Sequence, residues 1–432
     1  MRIGLEVHVA LPTKTKLFCS CSSHAKEVNS SICPICMGMP GSKPMLNKEA
    51  LRLAKSISLG LNATVNETTS FIRKVYFYPD LPKSFQITQL SHSIGIGGCV
   101  RIGSKTVGIR RIQIEEDPAK IIREDDYTLL DFNRSGVALV EIVTEPDISS
   151  LDELREFLTE LRSILYYSGI NISEEVKADV NISLDNERVE IKNVTGVNNV
   201  IAAARYEIDR QGEIIRTGGR VRMETRSYDE TSMKTVGSRE KETEEEYGFI
   251  YEPDLTDFDS GSIKADKPII ASEVAGSIAE TYGLNLQTLR ELSLFDMGSL
   301  RLIQLGVVKD PKAARGVVES LKKLGRMDVK DDVFYKLIEN AARGLQITAD
   351  ILGRIERDET VSGGAKGIDQ KAIDDDIIDT INKRQDLLIE YRTNKKVFNF
   401  LVGMLIKKYS ASPRYVAERL AALLDSRIDR AE

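Results

Sequence analysis

Residues 2–10, RIGLEVHVA, alternate strictly: Ile3, Leu5, Val7 and Val9 fall on one side of an extended chain, and Gly4, Glu6, His8 and Ala10 on the other. The pattern predicts a strand with one apolar face. NKEALRLAKSISLGLNA has helical spacing that ends near Gly60. From Phe71 to Ile114 the chain reads as strands, with turns at YPDLPKS and GIGG, and VGIRRIQIEED alternates again. SGVALVEIVTEPD is an apolar strand closed by Pro146. SSLDELREFLTELRSILYYSG opens on a capping box, Ser150 to Glu153, and carries the stripe Leu151, Leu154, Phe157, Leu158, Leu161, Ile164 and Leu165 before Gly169 stops it. Two short strands, ADVNISL and RVEIKNV, precede a helix over 197–216. After Asp254 strand patterns give way to helical ones, and VSGGAKG at 361–367 reads as a flexible joint.

These patterns predict an α+β fold in three parts: an α+β domain over 1–265, a helical domain over 266–360 and a small helical tail over 367–432. A chain of 432 residues is too long for one ordinary core. A hydrophobic content of 41% with 29% charged residues is that of a soluble globular protein, and no apolar run has the length of a membrane span. With no basic and apolar leader at the start, a cytoplasmic location is expected. The net charge of -6 argues against a chain coated by nucleic acid. Residues 395–432, however, hold eight Lys/Arg against four Asp/Glu, a net +4, which suits either a polyanion or a solvated helix face.

Four of the five cysteines lie between residues 19 and 36. Cys19 and Cys21 form C-x-C; eleven residues later Cys33 and Cys36 form C-P-I-C, the spacing of a zinc knuckle. In a reducing compartment such a set favours a metal over disulfides, and four thiolates match tetrahedral zinc. His24 is an alternative for one sulfur. Reduced, unmetallated thiols and redox work are the competing readings. Cys99, alone in GIGGCV, is most simply a buried thiol near a turn.

Glu6 and His8 leave the same face of their strand, which suits Mg²⁺ or Mn²⁺ if covered and is unremarked on a solvated edge strand. Glu115, Glu116 and Asp117 gather at one strand end; Glu141, Glu145 and Asp147 at another. Such carboxylates either converge on a metal-bridged phosphate or are loop acids. RKVYFYPDLPKSFQITQ, with its aromatics, prolines and bases, resembles a shaped wall: Tyr76, Phe77 and Tyr78 are placed to stack or pack. Lys74, Lys83 and Arg134 are the candidate cofactor contacts. The phosphate-binding G-x-x-x-x-G-K-[ST] is absent, as are G-x-S-x-G and a glycine/serine-rich amidase stretch, so any ammonia consumed here must come from another chain.

IGLEVHVAL, CPICMGMPG, RKVYFYPDLPKSFQITQ, RIQIEEDPAK, DFNRSGVALVEIVTEPD, VEIKNV, ETRSYDE, YEPDL and FLVGMLIKKYSASPRYVAERL follow one another as in a single family. Together they resemble the B subunits of aspartyl/glutamyl-tRNA amidotransferases, over essentially the whole chain. The related archaeal E subunits carry a large synthetase-like insert for which 432 residues leave no room. The resemblance implies a cradle-like mixed-sheet catalytic domain, a helical domain and a YqeY-like tail that contacts tRNA. It implies an ATP-dependent carbon–nitrogen ligase that converts Glu-tRNA(Gln), Asp-tRNA(Asn) or both, in a heterotrimer with an amidase-type A subunit and a small C subunit. ATP, Mg²⁺ (or Mn²⁺) and structural Zn²⁺ are the implied cofactors. Carried over, Glu6, His8, Glu116 and Glu141 are implied metal ligands with Glu115 a near alternative, and Lys74, Glu116 and Glu141 the catalytic set. The chain departs from the family at Gln113, where a histidine is usual, and in the looser stretch before YEPDL. A zinc-containing subunit that only docks tRNA is the rival; it is favoured if the acidic residues fail to converge.

Overall fold

The computed structural model describes residues 1–171, 176–185, 187–240, 248–357 and 359, with isolated positions beyond them. They divide into two compact units, Met1–Ile270 and Ala271–Glu432. The expected joint at 361–367 and the expected tail at 367–432 lie outside the described residues, apart from those isolated positions.

The first unit begins β1 (Arg2–Ala10), α1 (Lys48–Gly60), β2 (Thr64–Val65), β3 (Thr68–Thr69), β4 (Ile72–Val75), β5 (Phe85–Thr88), β6 (Gly95–Ile96) and β7 (Cys99–Ile102). It continues with β8 (Lys105–Glu116), β9 (Lys120–Arg123), β10 (Thr128–Asp131), β11 (Ala138–Thr144), α2 (Leu151–Tyr167), β12 (Lys177–Ser183) and β13 (Val189–Thr195). α3 (Val197–Arg216), β14 (Glu224–Asp229), β15 (Lys234–Glu240), β16 (Gly248–Tyr251) and β17 (Phe258–Asp259) complete it.

One large sheet dominates, in the order β15-β14-β13-β12-β1-β11-β8-β6-β2, with β7 also on β8. It is mixed: β13 and β14 run parallel, and α3 is the long crossover that parallel neighbours require. β1 is not an edge strand but pairs with β11 on one side and β12 on the other. Its apolar residues Ile3, Leu5, Val7 and Val9 join Ile112, Ile114, Val140, Ile142, Val180 and Ile182 in one core. Leu51 and Ile57 of α1, Phe157 and Leu161 of α2, and Val200 and Ala204 of α3 close over that face. Ser150 Oγ caps α2 by accepting the Glu153 N–H, whereas the Glu153 carboxylate reaches back to the Ser149 N–H. The capping box is therefore present with its return bond one residue early.

The other face of the same strands is polar. A small sheet in the order β16-β4-β5 is tied to the end of β8: Gln89 Oε1 accepts the Ile114 N–H at 3.0 Å, and Gln86 Nε2 donates to the Glu116 carbonyl at 2.7 Å. Beyond Asp254 the expectation of helices alone is amended by the two-residue strand β17, which pairs with β3.

The second unit is helical over its described residues: α4 (Ala271–Tyr282), α5 (Leu286–Ser293), α6 (Met297–Gly306), α7 (Pro311–Lys323), α8 (Asp331–Ala342) and α9 (Ala349–Glu356). Asn285, Asp296, Asp310 and Thr348 cap α5, α6, α7 and α9, and Pro311 opens α7 where a missing N–H costs nothing. Leu302, Ile303, Val317, Leu321, Phe334 and Leu337 form this unit's own core. Among the described residues no helix is long and apolar enough to cross a membrane.

Candidate active site

Register across the large sheet decides which polar residues meet. His8 stands opposite Glu141 on β11 and Lys177 on β12, and Glu141 stands opposite Gln113 on β8. Glu6 stands opposite Val143 and Asp179. Since alternate residues share a face, Arg111, Gln113 and Glu115 of β8 point the same way, as do Glu190 and Lys192 of β13. These side chains line a cleft of ≈ 1030 Å³, which Lys74, Tyr76, Gln86 and Thr88 of the small sheet and its turn also line. Six acids (Glu6, Glu115, Asp117, Glu141, Asp179, Glu190) and six bases (Lys74, Arg111, Arg134, Lys177, Arg188, Lys192) border it. A cleft lined by both signs can take an anion and a cation together.

Five of the six acids fall into two groups. Ligand atoms of His8, Glu115 and Glu141 all lie within 4.8 Å of one another, and so do those of Glu6, Asp179 and Glu190. His8 Nδ1 is 3.0 Å from Glu115 Oε1. Burial opposes a charge on His8, but the Glu115 carboxylate, with Glu141 and Asp179, pushes its pKa up to about 9. Burial and the neighbouring Glu115 push Glu141 up to about 7. The amide of Gln113 braces it, Nε2 donating to Glu141 Oε2 at 2.6 Å. In the second group, burial works against the Asp179 carboxylate, but Lys192, His8 and the Asn193 N–H hold its pKa below the ordinary value. Lys192 Nζ donates to Asp179 at 2.9 Å and sits 3.6 Å from Glu190. Buried carboxylates crowded in this way repel one another unless a cation joins them. The hard oxygen donors and one imidazole of His8, Glu115 and Glu141 could hold Mg²⁺ or Mn²⁺.

Glu116 and Lys83 do not join this set. Glu116 follows Glu115 on β8 and so points to the opposite side, where both its oxygens accept Lys83 Nζ, at 2.5 and 2.6 Å. Glu116, the implied metal ligand and catalytic residue on β8, does not line the cleft, where Glu115 stands instead, and Lys83 is buried against Glu116 outside it. Lys74 and Arg134 do border the cleft, and Arg134 forms an ion pair with Asp117. Phe77 and Tyr78 are exposed, whereas Tyr76 lines the wall. Glu145 pairs with Arg110, and Asp147 accepts the Gly108 N–H, so neither faces the acids above.

Arg111, Lys177, Asp179, Arg188, Glu190 and Lys192 were not singled out in the sequence. The signal was available: KADVNIS and VEIKN alternate as β1 does, and their polar members Asp179 and Glu190 are buried rather than solvated.

The four cysteine sulfurs of Cys19, Cys21, Cys33 and Cys36 also lie within 4.8 Å of one another, and all are free thiols. His24 is not one of that group. The Cys33 N–H donates to Cys36 Sγ at 3.2 Å, and the fully buried Lys16 places Nζ 3.7 Å from the same sulfur. Cys19 donating to Cys36, with the Cys33 N–H and Lys16 nearby, holds the Cys36 pKa down to about 4 against burial. Converging sulfurs with a backbone N–H and a lysine beside them fit Zn²⁺.

The GatB/GatE catalytic domain family matches residues 1–262. A protein of Sulfurisphaera tokodaii is 36% identical over 98% of this chain and 99% of its own length; one of Sulfolobus acidocaldarius is 35% identical over 97% and 98%. A Synechococcus protein is 35% identical over 98% of this chain and 97% of its own. Each is named as the B subunit of an aspartyl/glutamyl-tRNA(Asn/Gln) amidotransferase. With the catalytic-domain match over more than half the chain and these relatives covered nearly end to end, the chain belongs to the family of tRNA-dependent amidotransferase B subunits.

Proposed function

We propose that this chain activates the side-chain carboxylate of Glu-tRNA(Gln), Asp-tRNA(Asn) or both with ATP, then forms the amide with ammonia supplied by a glutaminase partner. The observation that carries this reading is the buried row of carboxylates on one sheet face, bordered by cations, in a cleft that can hold a polyphosphate and a carboxylate side by side. A free carboxylate resists ammonia because its oxygen is a poor leaving group. In the first step the carboxylate oxygen bonds to the γ-phosphorus as the bond to ADP breaks. In the second, ammonia bonds to the carbonyl carbon, the carbon–oxygen bond to phosphate breaks, and inorganic phosphate departs.

The residues of the chain divide this work. Lys74, Arg111 and Arg134 border the cleft as cations suited to phosphate oxygens. His8, Glu115 and Glu141 are the set that would hold Mg²⁺ or Mn²⁺, which when bound neutralises phosphate charge. The proton released by the attacking nitrogen has Glu6, Asp179 and Glu190 as acceptors on the same face. The four cysteines would hold a structural zinc, and the basic segment 395–432 of the tail would contact the tRNA body, as the family resemblance implies. An amidase-type A subunit and a small C subunit are the expected partners.

A subunit that only docks tRNA has no use for such a face, since buried carboxylates repel nucleic-acid phosphates. Glu115→Gln in the assembled complex tests the proposal. Its tRNA-dependent ATP cleavage should fall by about a hundredfold or more, the loss of about 3 kcal/mol of stabilisation, with tRNA affinity kept. Normal ATP cleavage would place the chemistry elsewhere.

A further inference from the structure

The cysteine loop, Lys83 and Glu116 all lie outside the cleft, yet they form one continuous set of contacts that ends at its wall. From the single residue Glu116, three groups on the segment 83–87 are held. Its carboxylate accepts Lys83 Nζ at 2.5 and 2.6 Å and the Ile87 N–H at 2.8 Å, and its carbonyl accepts Gln86 Nε2 at 2.7 Å. That segment includes part of β5, which pairs with β4 so that Lys74 stands opposite Gln86. Lys83 and Glu116 are 7% and 5% exposed, so each depends on the other: a charge left alone there has no water to turn to.

The cysteine loop presses on this pair from behind. Gly38, two residues after Cys36, has φ +67, and a Cβ there would meet Lys83 Cγ at 2.4 Å and its Cα at 3.1 Å. Gly136, with φ +86, marks a second junction: a Cβ there would lie 3.6 Å from both Cys36 Cβ and Lys16 Cδ and 3.8 Å from Glu116 Oε2. Lys16 spans the two sides, donating to the Phe132 carbonyl at 3.1 Å while Nζ faces Cys36 Sγ.

We propose that the Lys83–Glu116 pair, clamped by the cysteine loop through Gly38, is a positioning device that holds the hairpin bearing Lys74 in place against the strand bearing Gln113 and Glu115. Consecutive residues of β8 thereby serve opposite sides: Glu115 faces the cleft, and Glu116 anchors the wall across from it. The consequence for ATP rests on the reading of the cleft given above; the positioning itself does not.

The test uses the full chain with Glu116→Gln, Lys83→Met, Lys83→Arg, Gly38→Ala and Lys83→Ala. Amide exchange at Phe85–Thr88 should accelerate by about tenfold or more in Glu116→Gln and Lys83→Met, while Arg2–Ala10 keeps its protection, and Lys83→Arg should restore slow exchange. Gly38→Ala should give the same local signature. Combined with Lys83→Ala its effect should shrink without vanishing, because the methyl no longer meets Cγ while Lys83 Cβ at 3.0 Å and the φ of +67 remain. Should the single variants not fold, Lys83→Met with Glu116→Gln removes both charges and is read in the same way. In the assembled complex, KM for ATP should rise about tenfold through displaced Lys74, with kcat falling less. Unchanged exchange at Phe85–Thr88, an equal rise in both strands, or independent effects of Gly38→Ala and Lys83→Ala would overturn the positioning role. A local rise in exchange with unchanged KM would support the positioning and overturn the assignment of ATP to the cleft.

Discussion

Raising the pH from about 6 to about 9 should tighten Mn²⁺ binding to the chain and at the same time weaken its metal-free fold. Both trends start at His8. Burial disfavours the imidazolium, but the Glu115 carboxylate 3.0 Å away, aided by Glu141 and Asp179, raises its pKa from 6.5 to about 9. A shift of that size is worth about 3 kcal/mol in favour of the protonated ring. A metal ligand must be deprotonated, so at neutral pH the ion has to displace that proton. Apparent Mn²⁺ affinity should therefore climb about tenfold per pH unit between 7 and 9, about a hundredfold in all, then level off. Glu141, whose pKa burial raises to about 7, should steepen the curve below neutrality.

In the metal-free chain the sign reverses. His8 has a folded pKa above its unfolded value, so its contribution to stability is complete below about 6.5 and is lost as pH rises through about 9. Glu141 acts in the same direction but at lower pH: its folded pKa is raised from 4.5 to about 7, so its contribution is lost between those values and is gone above about 7. Tm without metal should fall from about pH 6 to about pH 9, and saturating Mn²⁺ should offset that fall. Calorimetric titration in buffers of different ionisation enthalpy counts the protons released. Glu115→Gln removes the partner that holds the proton on His8, so its affinity curve should be weaker and should level off at lower pH. A flat affinity across this range without proton release, or identical curves for both proteins, would refute the reasoning.

The cysteines should bring one zinc per chain, seen by elemental analysis of gently purified protein, and Cys33→Ser should lower the thermal stability of the first unit; four freely titratable thiols with no zinc would contradict this. Removing residues 395–432 takes away a net +4, so tRNA affinity and its salt dependence should both fall, as a filter-binding series across salt would show. The isolated chain should not hydrolyse glutamine, since it has no recognisable amidase nucleophile; an ammonia-release assay checks this directly. Phe334→Ala in the fully buried core of the second unit should cost about 3–5 kcal/mol, read as a lower denaturant midpoint.

What the sequence determines by itself is local. Strict alternation in 2–10 makes a two-faced strand with Glu6 and His8 together, Ser150 and Glu153 begin a helix, and the two cysteine pairs are close enough along the chain to meet. The family motifs are equally local, and they were legible from the order of residues alone. Whether the polar face of β1 is solvated or covered is not local, because alternation is the same on an edge strand and a central one. Only pairing with both β11 and β12 sets Glu6 and His8 beside the buried carboxylates Glu141 and Asp179 of those strands, which are costly unless shared. The choice between Glu115 and Glu116 was open for a similar reason: adjacent residues in a strand point to opposite sides, and only the register of Glu141 against Gln113 tells which side is the cleft. Asp179 and Glu190 reach Glu6 from distant parts of the chain through strand pairing, so no spacing along the sequence could announce them. The raised pKa of His8 follows from that same assembly, since it takes three carboxylates from three other strands to outweigh the burial of one imidazole.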